Sequence, residues 1–243
     1  MTISPVKVHL WNINTSKCLI GFKVNENKYF NCFGKTEVRN GCFAKIKGDD
    51  IYIIFCVYKS VIIFDLNGNF ISNIKYFDKE LLDLIYYYYD ENSSENYIIV
   101  SNDKYVVSFN LRKNKRYGLY INSAKTTNII IHHNIFNTKL IAGGREEIRI
   151  WNFHTGQLLN SIGFPIKGCV PGYIGFWNED YLLLGHFTIY IIDIYKKIAV
   201  RESYMLENFS SNVKKIVLPK YGECLISQST LYDKNQIILW YNK

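Results

Sequence analysis

The sequence predicts an all-β fold built from a repeated antiparallel unit of four strands. Three observations carry that expectation. The 34 Ile and 20 Tyr favour strands, whereas Ala, the best helix former, occurs only at 44, 124, 142 and 199. No segment sustains an apolar helical period, which rules out a helical solenoid. A short pattern also recurs six times along the chain: apolar or β-branched residues, an aromatic or large apolar anchor, then usually Asn or Asp.

The six anchor strands are expected at 7–12, 61–65, 105–110, 147–152, 188–193 and 236–241. Their anchors are Trp11, Phe64, Phe109, Trp151, Ile192 and Trp240, spaced by 53, 45, 42, 41 and 48 residues. Tight-turn signals follow at 14–17, 67–69, 112–116, 154–156 and 195–197, with Gly or Asn where a positive φ is convenient. Compact apolar strands precede the later anchors at 51–57, 97–101, 140–144, 181–185 and 224–227. Earlier still, 41–46, 81–88, 127–132, 170–177 and 212–218 each read as one more strand. The unit is thus four strands, at roughly the 40–45-residue period of a propeller blade.

On these residues the chain resembles the WD-repeat β-propeller family. The best match is Leu140-Ile141-Ala142-Gly143-Gly144 followed by Ile148-Arg149-Ile150-Trp151-Asn152 and Thr155-Gly156-Gln157-Leu158-Leu159. Val8-His9-Leu10-Trp11-Asn12 with the following Ile13 to Leu19 is nearly as good, and Trp240 supplies a third anchor tryptophan. The resemblance covers residues 6–242. It implies one propeller domain over 1–243, with about five to six four-stranded blades and a ring that is incomplete or irregularly closed. In that ring, 19–23 supply the strand missing from the last blade, and 6–13 are left over or pair separately. A fragment of a longer propeller is the other expectation.

The family's polar tetrad is degenerate here. No Gly-His pair stands before a first strand, and Gly185-His186 lies at a strand end instead. Ser101 and Asp103 match half of one tetrad, without its Trp, and Arg145 stands at the equivalent place before Trp151. The blades are therefore expected to hold by apolar packing.

The chemistry of catalysis is sparse. No Gly-x-Ser-x-Gly elbow or Gly-rich phosphate loop occurs. The five histidines are His9, His132, His133, His154 and His186. As neighbours on a strand, His132 and His133 face opposite ways and cannot share an ion. The loops between second and third strands carry Lys59, Asp103, Arg145-Glu146-Glu147, His186 and Asp233, a set mixed in sign rather than an acidic cage. The expectation is no catalytic residue, no cofactor and no metal. The cysteines at 18, 32, 42, 56, 169 and 224 form no Cys-x-x-Cys pair. They read first as buried or half-buried thiols of an intracellular protein, cytoplasmic or nuclear, and second as a secreted framework of three disulfides. No apolar run approaches the roughly 18 residues of a membrane span, and residues 1–8 lack the apolar core of a secretory signal.

Recognition is the remaining class. The net charge is +8, yet only six of the 29 cations are Arg, the better phosphate ligand. A polyanion surface, for RNA or anionic lipid, would use Arg112, Lys113, Lys115 and Arg116 in one turn with Lys17, Lys196 and Lys197 in others. Asp90, Glu91, Glu95, Glu179 and Asp180 on the same side mix the field. A protein surface would use the connections between units, Tyr76, Phe77, Phe164, Tyr204 and Met205, with Arg145 and His186 at the channel mouth. Of the run Tyr86–Tyr89, two rings are expected on each side of a strand. The function expected first is a non-catalytic scaffold for one or more proteins in a larger assembly. The alternative is a basic propeller binding RNA or anionic lipid, and the third is a propeller hydrolase.

Overall fold

The computed structural model describes residues 2–3, 7–12, 14–23, 38–45, 50–57, 60–74, 84–102, 105–121, 126, 128–132, 138–144, 147–164, 173–176, 180–185, 189–196, 198–202, 213–217, 224–231 and 234–241. Among them are 22 strands and no helix. Every pairing is antiparallel between sequence neighbours, so each sheet is a plain up-and-down meander. The first sheet holds β1 (Thr2–Ile3), β2 (Lys7–Asn12) and β3 (Lys17–Lys23). The second holds β4 (Val38–Lys45), β5 (Ile51–Val57), β6 (Ser60–Asp65) and β7 (Phe70–Ile74). The third holds β8 (Leu84–Asp90), β9 (Glu95–Ser101), β10 (Tyr105–Asn110) and β11 (Lys115–Ile121).

The fourth sheet holds β12 (Asn128–His132), β13 (Lys139–Gly143), β14 (Glu147–Asn152) and β15 (Leu158–Gly163). The fifth holds β16 (Tyr173–Phe176), β17 (Tyr181–Gly185), β18 (Ile189–Asp193) and β19 (Ile198–Glu202). The sixth holds β20 (Val213–Val217), β21 (Cys224–Leu231) and β22 (Lys234–Tyr241). The chain divides into two compact units, 1–121 and 122–243, with three sheets each.

In the first unit the second sheet lies between the other two. Val8 and Leu10 of β2 pack on Ile53, Phe55, Ile62 and Phe64. The opposite face, with Ile54, Cys56, Val61 and Ile63, packs on Ile85, Ile98, Val100, Val107 and Phe109 of the third sheet. Strands β5 and β6 are therefore buried on both faces, which is why they read as continuous apolar runs rather than as alternation. In the second unit, Ile141, Ile148, Ile150 and Ile162 of the fourth sheet meet Ile174, Leu182, Leu184, Tyr190 and Ile192 of the fifth. Each fully buried aliphatic side chain contributes about 1.5–3 kcal/mol. First strands of successive sheets run side by side within each unit: β4 by β8, β12 by β16, β16 by β20.

The anchor pattern has a local cause. In five sheets the pairing register shifts immediately before the anchor: Leu10/Trp11, Ile63/Phe64, Ser108/Phe109, Ile150/Trp151 and Ile191/Ile192. One residue of the outer strand is skipped in the register at each shift. Where side chains are described, that residue is Leu19, Ile71, Tyr117 or Leu159, all exposed. These are β-bulges, which add twist and turn one side chain outward. The residue after the anchor then closes the hairpin. Asn12 Oδ1 accepts from the backbone N–H groups of Asn14 and Thr15 at 2.9 and 3.1 Å. Asp65 does so from Asn67 and Asn69, Asn152 from His154 and Thr155, and Asp193 from Tyr195 and Lys196. Asn110 accepts from Lys113 at 2.8 Å. A short side-chain oxygen here supplies the acceptor that the turning backbone lacks, so Asn or Asp is selected. The left-handed residues that complete these turns are Ser16, Gly68, Asn114 and Gly156, with φ of 53, 81, 48 and 72°.

Three expectations need correction. The basic turn is 111–114, not 112–116: Lys115 and Arg116 open β11, because Asn110 caps the turn and Asn114 reverses it. Residues 19–23 do not leave 6–13 spare; they belong to β3, which pairs with β2 from Lys7 to Asn12. Cys18 is exposed rather than buried, since it lies on the outer strand beside the bulge, whereas Cys42 is half-buried and Cys56 buried. The Tyr86–Tyr89 run does alternate, but unevenly: Tyr86 and Tyr87 are half-buried, Tyr88 is buried and Tyr89 is exposed.

Removing a cap tests this account. Asn12→Ala is expected to lower unfolding free energy by about 1 kcal/mol. Asn110→Ala is expected to cost roughly 2–3 kcal/mol, because Asn110 is fully buried and also donates to Glu95. Denaturant titration of both variants gives the order, and equal losses would contradict it.

Candidate interaction surface

The turn end of the third sheet gathers the densest polar cluster. Glu95 opens β9 and Asn110 closes β10, so the two strand ends meet across the ladder. Glu95 accepts from Asn110 Nδ2 at 3.1 Å and forms an ion pair with Lys113 Nζ at 2.8 Å. The Lys113 and Asn110 hydrogen bonds hold the Glu95 carboxyl below its ordinary value of 4.5. Asp90 caps the β8–β9 turn, accepting from Asn92 N–H and Ser93 Oγ. Three tyrosines floor the cluster. Tyr88 stacks on Tyr97, and Tyr97 lies 4.8 Å from Tyr117. Burial, then the neighbouring Tyr97, pushes the Tyr117 phenol up to about 12.

The candidate cations are not equivalent. Lys113 is engaged by Glu95, and Lys196 lies 3.7 Å from Asp193. Hydrogen bonds from the Lys196 and Tyr195 backbone hold Asp193 low despite its desolvation. Lys17, Arg112, Lys115 and Arg116 are exposed, on the first and third sheets. Lys197 lies outside the described residues, as do Tyr76, Phe77, Arg145, His186, Tyr204 and Met205. Phe164 is half-buried and packs against the core between the fourth and fifth sheets.

Two features escape a reading of the pattern alone. The first is the set of exposed bulge residues Leu19, Ile71, Tyr117 and Leu159. Their signal was present: Cys18-Leu19, Phe70-Ile71 and Leu158-Leu159 are adjacent apolar pairs at the start of an outer strand, where simple alternation calls for only one. The second is Arg149, two residues before the anchor, where the other sheets carry His9, Ile62, Val107, Tyr190 and Ile238. Arg149 Nε donates to Glu147 Oε1 at 2.7 Å, and Ser161 Oγ donates to Glu147. The trio places a satisfied charge pair on a face that is otherwise apolar.

Among the described residues, no group of three or more His, Cys, Asp or Glu side chains converges as a metal cage. No helix long and apolar enough to cross a membrane occurs among them. No protein-family model matches the chain, and a search of curated proteins returns no match.

Two measurements follow. Because Glu95 has a depressed folded-state value, its contribution is present at neutral pH and lost as pH falls through the range below about 4.5. The melting temperature of the wild type should therefore fall more steeply between neutral and acid pH than that of Glu95→Gln. A second test uses a thiol reagent under native conditions. Cys18→Ser should remove one fast-reacting thiol, whereas Cys42→Ser should leave the fast phase unchanged, since burial pushes the Cys42 thiol up to about 12.

Proposed function

We propose that this chain is a non-catalytic WD-repeat-like β-propeller that serves as an intracellular scaffold, holding one or more proteins in a larger assembly. The observation that carries the reading is the repetition itself. One four-stranded meander recurs, with the same bulge before the anchor and the same side-chain cap after it. Repetition of that kind makes a rigid support whose turns and outer strands are free to vary, which suits recognition. The exposed apolar side chains lie largely on these outer parts: Leu19, Leu66, Ile71, Tyr117, Leu119, Ile121, Leu158, Leu159 and Tyr195. Free thiols at Cys18, Cys42 and Cys56 fit a reducing compartment.

The second reading is a basic propeller for RNA or anionic lipid. It rests on exposed Lys17, Arg112, Lys115 and Arg116, but it loses Lys113 and Lys196 to carboxylates of the same chain. A polyanion binder gains from releasing counterions at unpaired cations, so internal pairing weakens that case. A propeller hydrolase ranks third.

Affinity purification of the tagged chain from its own cells, with and without nuclease, discriminates these readings. A protein set that survives nuclease is expected. A set that collapses on nuclease would overturn the scaffold reading in favour of the basic surface.

A further inference from the structure

We propose that the outer edge of β11 is a docking site for an extended acidic–apolar peptide segment, which adds to the third sheet as a fifth, antiparallel strand. The inference rests on the scaffold reading and names the chemistry of one partner. Strand β11 lies at the edge of its sheet, and an edge strand is a template for pairing with another chain. It carries three exposed large apolar residues, Tyr117, Leu119 and Ile121, more than any other strand among the described residues.

The register defines what it would recognise. Arg116, Leu119 and Ile121 stand opposite Phe109, Val107 and Tyr105 of β10, so all three occupy one face. The bulge at Tyr117 lengthens the step between Arg116 and Leu119 while keeping them in that row. Leu119 and Ile121 are 44% and 64% exposed, and Arg116 is exposed as well. Strands β15, β7 and β3 do not repeat this row. At the matching positions β15 has Leu158, Ser161 and Gly163, and Ser161 is held by Glu147. Strand β7 has half-buried Phe70 and then Asn73. Strand β3 has Cys18, Gly21 and Lys23.

A segment that follows β11 as β10 does would place two apolar residues, two apart, against Ile121 and Leu119. A carboxylate two further on would meet Arg116. Charge complementarity at Arg116 selects the acid, and exposed Arg112 in the turn and Lys115 on the opposite face add to the positive field at this end of the strand. The sequence form is apolar-x-apolar-x-Asp/Glu. Main-chain hydrogen bonds would provide affinity, and the Arg–Leu–Ile row specificity.

The test is fluorescence anisotropy of the full chain with a labelled peptide containing Val-Thr-Val-Thr-Glu. Saturable binding is expected, weakened roughly tenfold or more by Arg116→Glu and by Leu119→Ser. Replacing the peptide Glu by Lys should restore binding to Arg116→Glu and abolish it for the wild type. N-methylation of alternate peptide residues should abolish binding in one phase and leave it intact in the other, a readout that cannot reflect misfolding of the protein. Absence of binding at about 1 mM peptide, or binding indifferent to Arg116→Glu and to N-methylation in both phases, would overturn the proposal. So would a wild-type dimer that Leu119→Ser converts to monomer in sedimentation, because a second copy would then occupy the edge. If the peptide fails while the nuclease-resistant protein set persists, this inference falls alone. If that set collapses too, the scaffold reading falls with it.

Discussion

The hydrogen bonds from turn backbone to the residue after the anchor, made in five of the sheets, are what the repeat depends on. A hairpin that follows a bulge must reverse direction while its carbonyls and N–H groups are out of phase. Asn12, Asp65, Asn110, Asn152 and Asp193 each supply the missing acceptor. Once the turn is fixed, the bulge fixes the twist of the outer strand, and the anchor is committed to one face. That face is the one turned toward the preceding sheet wherever packing within a unit is defined. Phe64 meets Val8 and Leu10, Phe109 meets the face of Ile54 and Ile63, and Ile192 meets Ile141 and Ile150. A small polar side chain thus sets the direction in which a large apolar one is buried.

This explains why the four-strand period was legible in the sequence. The anchor strands at 105–110 and 147–152 coincide with β10 and β14, because Val106, Val107 and Phe109 in one and Ile148, Ile150 and Trp151 in the other run up to a capping Asn. The preceding strands were equally readable. Outer strands were harder, since half of each faces water. The 112–116 turn was misplaced because five polar or basic residues look like a loop. A strand at a sheet edge tolerates Lys115 and Arg116 as readily as a turn does.

The candidate surface was less legible than the fold. Composition reported an excess of cations but not their partners, and Lys113 and Lys196 prove to be tied to Glu95 and Asp193. Pairing depends on which strand ends meet, and that follows from register rather than from order along the chain. The thiol at 18 illustrates the same limit. Cys18 sits in an apolar stretch, and only the bulge beside it reveals that the stretch splits between inside and outside.

Two positions show how far identity at a repeat position departs from environment. Trp11 and Trp151 are both anchors with the same cap after them, yet Trp11 is 43% exposed and Trp151 is 2% exposed. The bulge and the cap are the same in both, and the two faces differ in the side chains that they carry. In the first sheet the anchor face carries Lys7 and half-buried His9, whose ring lies close over Gly21. A Cβ on Gly21 would stand 2.8 Å from the imidazole, so Gly is what lets a polar ring lie flat there. In the fourth sheet the same face carries Arg149, held by Glu147. Where the anchor face is aliphatic, as at Ile62 and Val107, it is buried, and where it is polar it brings its own partners. The repeat therefore fixes the course of the hairpin in five of the sheets, while the residue two before the anchor varies from one sheet to the next. Recognition can diverge at those faces and at the outer strands without disturbing the hairpins that hold them.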